Sequence, residues 1–220
     1  MLLVFIIATK YFEITFICNN TKMRKATTTT VNILDNIIHK SIGFSLNSED
    51  LMEICDNETI IVPYSKLKDV NDLSEILDEF DNFIVFYETT SKRVGHYACV
   101  IYHRNKKILE FFDSYGQSDA TLLGYSRTSY NYSRGEMTLS YLMQQFCVNN
   151  GVRQVVNSIQ LQSADFEDVS TCGRYVGIRI RFRYLQINDF IKMLRGSRND
   201  PDYLVTLMTM LFHDLPQFQL

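Results

Sequence analysis

The hydrophobic positions of this chain change their period several times, and each change marks an element. Three runs, NFIVFYE (82–88), HYACVIYH (96–103) and KILEFFD (107–113), are rich in aromatic and β-branched residues and joined by short polar connectors. With RNKK (104–107) as a hairpin turn, they predict a meander of antiparallel strands. In TLSYLMQQFCVNNG (138–151), Leu139, Leu142, Met143 and Phe146 recur at helical spacing, and the pattern stops at Gly151. LNSEDLMEIC (46–55) predicts a helix capped by Asn47 or Ser48, with acidic residues in its first turn. IIVPYSKL ends a short extended piece at Pro63, and Asp72 is placed to cap a helix over LSEILDEF. RQVVNSIQLQ (153–162) reads as a further strand, and NDPDYLVTLMTMLFH (199–213) as a helix with Pro201 in its first turn.

Two regions resist this reading. Before residue 45, the apolar opening MLLVFIIA is expected as a buried strand, TTTT (27–30) as loop or edge strand, and VNILDNIIHK as a short helix. The opening is too short to span a bilayer, and it lacks the basic start and small-residue cleavage site of a secretory signal. After Cys172, VGIRIRFRY alternates apolar and polar residues strictly, which by period alone favours a strand. A helix starting at Cys172 would instead group Tyr175, Val176, Arg179, Ile180 and Arg183 on adjoining turns.

Composition narrows the function classes. A chain of 220 residues that is 46% hydrophobic suits one domain, or one with a small appendage, and can bury a substantial core. Its net charge of −3 and pI near 5.8 give polyphosphates no basic surface from which to release counterions, so nucleic acid is not the default partner. The five cysteines are odd in number, scattered, and form no C-x-x-C pair. This argues against a disulfide framework or a zinc site and for a reducing compartment.

Three stretches carry candidate chemistry: VGHYACV with His96, EFFDSYG with Asp113, and STCGRYVG with Cys172. A thiol becomes a nucleophile at neutral pH when a histidine takes its proton and a helix amino terminus stabilises the anion. That histidine needs a carboxylate to hold its tautomer. His96 at the start of one strand and Asp113 at the end of the next meet that need, because an antiparallel hairpin brings both to one sheet edge. Taken singly, each residue has a plainer role: a small buried thiol, a satisfied histidine, an aspartate opening a turn. Cys18, Cys55, Cys99 and Cys147 are expected to be buried small side chains of that kind.

The run GHYACVIYHRNKKILEFFDSYG, followed by LQSADFEDVSTCGRYVGIRI, resembles the adenain-like and SUMO-protease-like cysteine peptidase superfamily. More narrowly it resembles the maturation proteases of virophages and polinton-type elements, over roughly residues 60–195. The resemblance implies an α+β fold: a central mixed or antiparallel sheet flanked by helices, with the nucleophile opening a buried helix over 172–186. It implies that His96 is the general base, Asp113 its orienting acid and Cys172 the nucleophile, with seventeen residues from His96 to Asp113 as in the superfamily. An oxyanion-hole glutamine preceding the cysteine falls on Gln162 or Gln160. Gln162 is favoured; it lies ten residues upstream, so SADFEDV reads as a small insertion. Where the superfamily most often has Trp after the histidine, this chain has Tyr97, and it contains no Trp.

What the resemblance implies about activity is peptide-bond cleavage after small residues, often glycine, in viral capsid or core precursors. Deconjugation of a ubiquitin-like modifier and acetyl transfer by the same triad are the alternatives. No cofactor or metal is implied and no membrane association. An activating peptide is left open, and DNA assistance is disfavoured by the acidic pI. The expected domain layout is an extension over residues 1–59 and a protease core over 60–220. The expected location is host cytoplasm or virus factory, with packaging in the virion.

Overall fold

The computed structural model describes residues 24–91, 94–125, 139–163, 169–197 and 199–212. The expected strand over MLLVFIIA, most of the SADFEDV insertion, and Cys18 lie outside them. The chain divides into two compact units, residues 1–41 and 42–220. The described part of the first is one helix, α1 (Arg24–Ile42). It includes the TTTT run, expected as loop or edge strand. The helix over 32–42 supplies the costly nucleus, and each further turn then outweighs the few tenths of a kcal/mol that threonine costs.

The second unit is α+β. Its helices are α2 (Ser48–Ile54), α3 (Ser74–Phe80), α4 (Asp119–Tyr125), α5 (Leu139–Asn150), α6 (Cys172–Arg181), α7 (Ile187–Arg195) and α8 (Pro201–Phe212). They flank a five-stranded mixed sheet of β1 (Ile61–Pro63), β2 (Asn82–Ser91), β3 (Val94–His103), β4 (Ile108–Phe112) and β5 (Arg153–Val156), in the order β1-β2-β3-β4-β5. β2, β3 and β4 form the expected antiparallel meander, and β1 and β5 join its two edges in parallel. The RNKK connector is a short 3-10 turn closed by Lys107 at φ +49°.

Local chemistry accounts for most boundaries. Asn47 caps α2 in a reciprocal capping box with Asp50. Asp72 accepts the Ser74 N–H at the start of α3, 2.7 Å away, and Gly151 takes the left-handed conformation that ends α5. The strand expected over 153–162 stops at Val156. Asn157 ends it: its side-chain amide donates to the carbonyls of Asp113 (2.7 Å) and Ile159 (3.0 Å) and accepts the Ile159 N–H (2.9 Å). This local closure competes with the ladder and wins.

The sheet is covered on both sides, which explains why its strands read as continuous apolar runs. Phe83, Val85, Tyr87, Ala98, Val100, Leu109 and Phe111 join one core with side chains of α3, α4 and α5. The alternate residues of β4 turn toward α6 and α7, where the Phe112 ring meets Phe190 edge-on at 5.6 Å. α6 is helical, as the resemblance implies, although it ends at Arg181 and not near 186. Every residue from Gly173 to Ile180 is buried. At Arg179 the arginine alternation therefore does not report a wet position, whereas Arg181 and Arg183 keep part of their exposure. Arg179 is buried and bonds Glu110 through two nitrogens, both at 2.7 Å. It also donates to the carbonyls of Phe182 and Leu185, and His103 contacts the same carboxylate at 3.0 Å. Leu51 and Ile54 of α2 press on Gly177 so closely that an added Cβ would lie 2.8 Å from Ile54.

No helix among the described residues is long and apolar enough to cross a membrane. No cluster of three or more His, Cys, Asp or Glu there could hold a metal ion.

Removing one partner of the Glu110–Arg179 pair strands a buried charge, which typically costs about 3–5 kcal/mol. Arg179→Met should lower stability by about that much in urea unfolding, and the double change Glu110→Leu, Arg179→Met should recover most of it. A double variant no more stable than the single one would show that the pair is not the docking element.

Candidate active site

β3 enters the sheet at Val94 and β4 leaves it at Phe112, with Cys99 opposite Phe112 in the register. This antiparallel pairing carries the start of β3 and the residue just beyond β4 to the same end of the sheet. There the His96 Nε2 is hydrogen-bonded to Asp113 Oδ1. Asp113 is fully buried, while His96 keeps 15% of its side-chain exposure. The other carboxylate oxygen accepts the N–H groups of Tyr115 (3.1 Å) and Gln117 (2.9 Å). The acid that steers the imidazole thus also closes the DSYG turn. Gly116 adopts φ +69°, and a Cβ there would meet the backbone of Ile159 at 2.6 Å, so only glycine fits. Tyr115 stacks on the His96 ring, with centroids 5.1 Å apart and planes 25° from parallel.

With Nε2 committed to Asp113, Nδ1 is the nitrogen left to face Cys172, whose side chain helps to hold the ring's second proton. Cys172 is the first residue of α6, so its sulfur sits where helix N–H groups lack intrahelical partners. Burial alone would push this thiol up. The hydrogen bond and charge of His96, with the N–H groups of Tyr97 and Gly173, bring it below its ordinary value of 9.0. Burial likewise works against the charged imidazole, but Asp113 and Cys172 outweigh it and raise His96 to about 10. Both shifts run toward the charged form of the group, the thiol's downward and the imidazole's upward. The other described cysteines move the opposite way: burial pushes Cys55 up to about 12 and also raises Cys99 and Cys147.

Gln162 and Gln160 part company. Gln160 is exposed, whereas Gln162 is 2% exposed. The Gln162 side-chain oxygen accepts the Ser114 hydroxyl at 2.7 Å, which leaves Nε2 as its donating end. The Ser114 carbonyl accepts the N–H groups of both Leu161 (2.8 Å) and Gln162 (3.0 Å). Gln162 is thereby fastened to the residue next to Asp113.

Ser114, Tyr115 and Asn157 hold groups of this cluster, and none of the three was singled out from the sequence; Tyr97 was, for its ring, and here its N–H also acts on Cys172. Asp-Ser-Tyr-Gly is a recognisable turn signal, but turn propensity does not say that the turn closes on a histidine.

No family model matches the chain. It is 28% identical over 171 residues to uncharacterized protein V9 of Sputnik virophage, spanning 75% of this chain and 94% of that one. Among solved structures it is similar to the C-terminal ULP1 protease domain in complex with SMT3, the yeast orthologue of SUMO. That overlap has a TM-score of 0.36 and 15% identity, and covers 76% of this chain and 79% of that one. It is also similar to the ASFV pS273R protease, with a TM-score of 0.40 and 14% identity over 70% of this chain and 58% of that one. The side chains, more than these overlaps, carry the functional reading.

If His96 holds Cys172 as thiolate, alkylation of Cys172 by iodoacetamide should stay fast through neutral pH. It should fall only as pH drops through the lowered thiol value. His96→Ala removes the lowering cause and leaves the burial, so the midpoint should move to 9.0 or above. Peptide mapping of the alkylated protein against pH would check this; an unmoved midpoint would rule out the pair.

Proposed function

We propose that the protein is a cysteine endopeptidase that cleaves viral capsid or core precursors after small residues, often glycine. The observation that carries this reading is a single imidazole bonded to a buried carboxylate and coupled electrostatically to a thiol at a helix amino terminus. In the proposed sequence His96 takes the Cys172 proton, and the thiolate adds to the scissile carbonyl carbon. The resulting oxyanion accepts hydrogen bonds from the Cys172 N–H and the Gln162 Nε2. The carbonyl re-forms as the C–N bond breaks, and the leaving amine takes its proton from His96. Water then gives a proton to His96 and attacks the thioester, releasing the acid and restoring the thiol. Asp113 holds the imidazole in the required tautomer throughout. The viral substrate class is supported by the sequence resemblance and by the similarity to a virophage protein. A virus factory or virion would be the corresponding location.

Wild type and Cys172→Ala, run side by side on capsid-precursor peptides and on a Gly-Gly modifier substrate, test both activity and substrate class. Cleavage is expected with wild type only, on the precursor peptides; a Cys172→Ala variant that still cuts would exclude this site. Gln162→Ala should lower kcat about 10²–10³-fold, the usual effect of deleting one oxyanion donor. Its melting temperature should stay close to that of wild type.

A further inference from the structure

Asp202 lies in the first turn of α8, far along the chain from the triad, and is 3% exposed. Its two carboxylate oxygens are divided between two places. Oδ2 accepts the Ser163 N–H at 2.9 Å, directly after Gln162. Oδ1 accepts the Thr171 hydroxyl at 2.5 Å, directly before Cys172. On the other flank of Gln162, the Tyr175 hydroxyl of α6 donates to the Leu161 carbonyl at 3.1 Å. The glutamine is thus braced from α6 on one side and from α8 on the other.

We propose that Asp202 is a positioning residue: it sets the separation between the oxyanion-donating amide of Gln162 and the sulfur of Cys172. The inference rests on reading Gln162 as the oxyanion donor, and it names the group that makes that donor effective. A carboxylate suits the task because both of its ends accept, and here each end faces a donor. Asp202→Ala removes both acceptors at once. Asp202→Asn can keep both contacts, its oxygen accepting the Ser163 N–H and its NH₂ donating to the Thr171 hydroxyl, which accepts as well as donates. Because effective oxyanion donors must sit about 2.7–3.1 Å from the developing charge, a small displacement of Gln162 is enough to weaken it.

The test separates nucleophile from oxyanion hole with two probes that need no natural substrate. Iodoacetamide reports the Cys172 thiolate alone. Acetyl-glycinal adds reversibly: a C–S bond forms, the carbonyl π electrons move to oxygen, and that oxygen takes a proton from the His96 imidazolium. Its affinity therefore reports the oxyanion site. In Asp202→Ala, aldehyde affinity is expected to fall about tenfold or more, while the iodoacetamide rate and its pH midpoint stay at the wild-type values; Asp202→Asn should restore most of the affinity. Thr171→Val, which deletes one of the two contacts, should show the same signature more weakly and guards against a fold defect in Asp202→Ala. In a Gln162→Ala background, Asp202→Ala should cost less than about twofold more, because residues acting through one another are non-additive. Additive losses in that double variant, or a parallel fall in alkylation, would overturn the positioning role. A wild type that neither binds the aldehyde nor alkylates selectively at Cys172 would instead remove the protease reading, and this inference with it.

Discussion

A helix with no wet side must satisfy its charges inside the protein, and α6 depends on that constraint. Its eight residues from Gly173 to Ile180 are buried. The guanidinium of Arg179 is held by Glu110 of β4 and by two carbonyls beyond the end of its own helix. Such a pair adds little net stability compared with apolar packing, but it tolerates few other geometries. Arg179 lies about 10 Å along the axis from Cys172, at 1.5 Å per residue. Pinning one end of the helix to β4 therefore fixes where the other end delivers its sulfur. The same strand continues into Asp113, so Cys172 and Asp113 are both placed from one piece of sheet.

The site itself is a set of groups that each serve two neighbours. Asp113 gives one oxygen to His96 and the other to the backbone of its own turn. Ser114 holds Gln162 by hydroxyl and by carbonyl. Cys172 draws on both a side chain and two backbone N–H groups to offset its burial. No single contact in this set is unusual. What burial adds is that each lost partner leaves a polar atom without water to replace it.

Much of this was legible in the sequence where local patterns and tertiary structure agree. The aromatic, β-branched runs gave the meander, and a hairpin of that length brings His96 and Asp113 together. Asn47 gave the start of α2, and Gly151 the end of α5. Legibility failed where a buried charge imitated a surface one. Arg179 helps to make the VGIRIRFRY stretch look half-solvated on one face although it is buried, and only resemblance to known sequences overrode its strand-like period. It failed again at Asn157, whose side chain ends β5 through a local contact with Ile159 and a distant one with the Asp113 carbonyl that no local rule foresees. Helices α4 and α7 went unpredicted, as did the packing of Leu46, Leu51 and Ile54 against α6, which joins segments over 100 residues apart. Of the two glutamines, resemblance favoured Gln162, and burial with the Ser114 contacts separates it from Gln160.

His96 and Asp113 share a two-strand ribbon, whereas Cys172 belongs to a helix far along the chain. Closing the ribbon costs little chain entropy; seating α6 against β4 closes a much longer loop. Chain connectivity thus makes the lowering of the Cys172 thiol a property of the whole tertiary structure: a chain opened at α6 loses the imidazole and with it the main cause of that lowering.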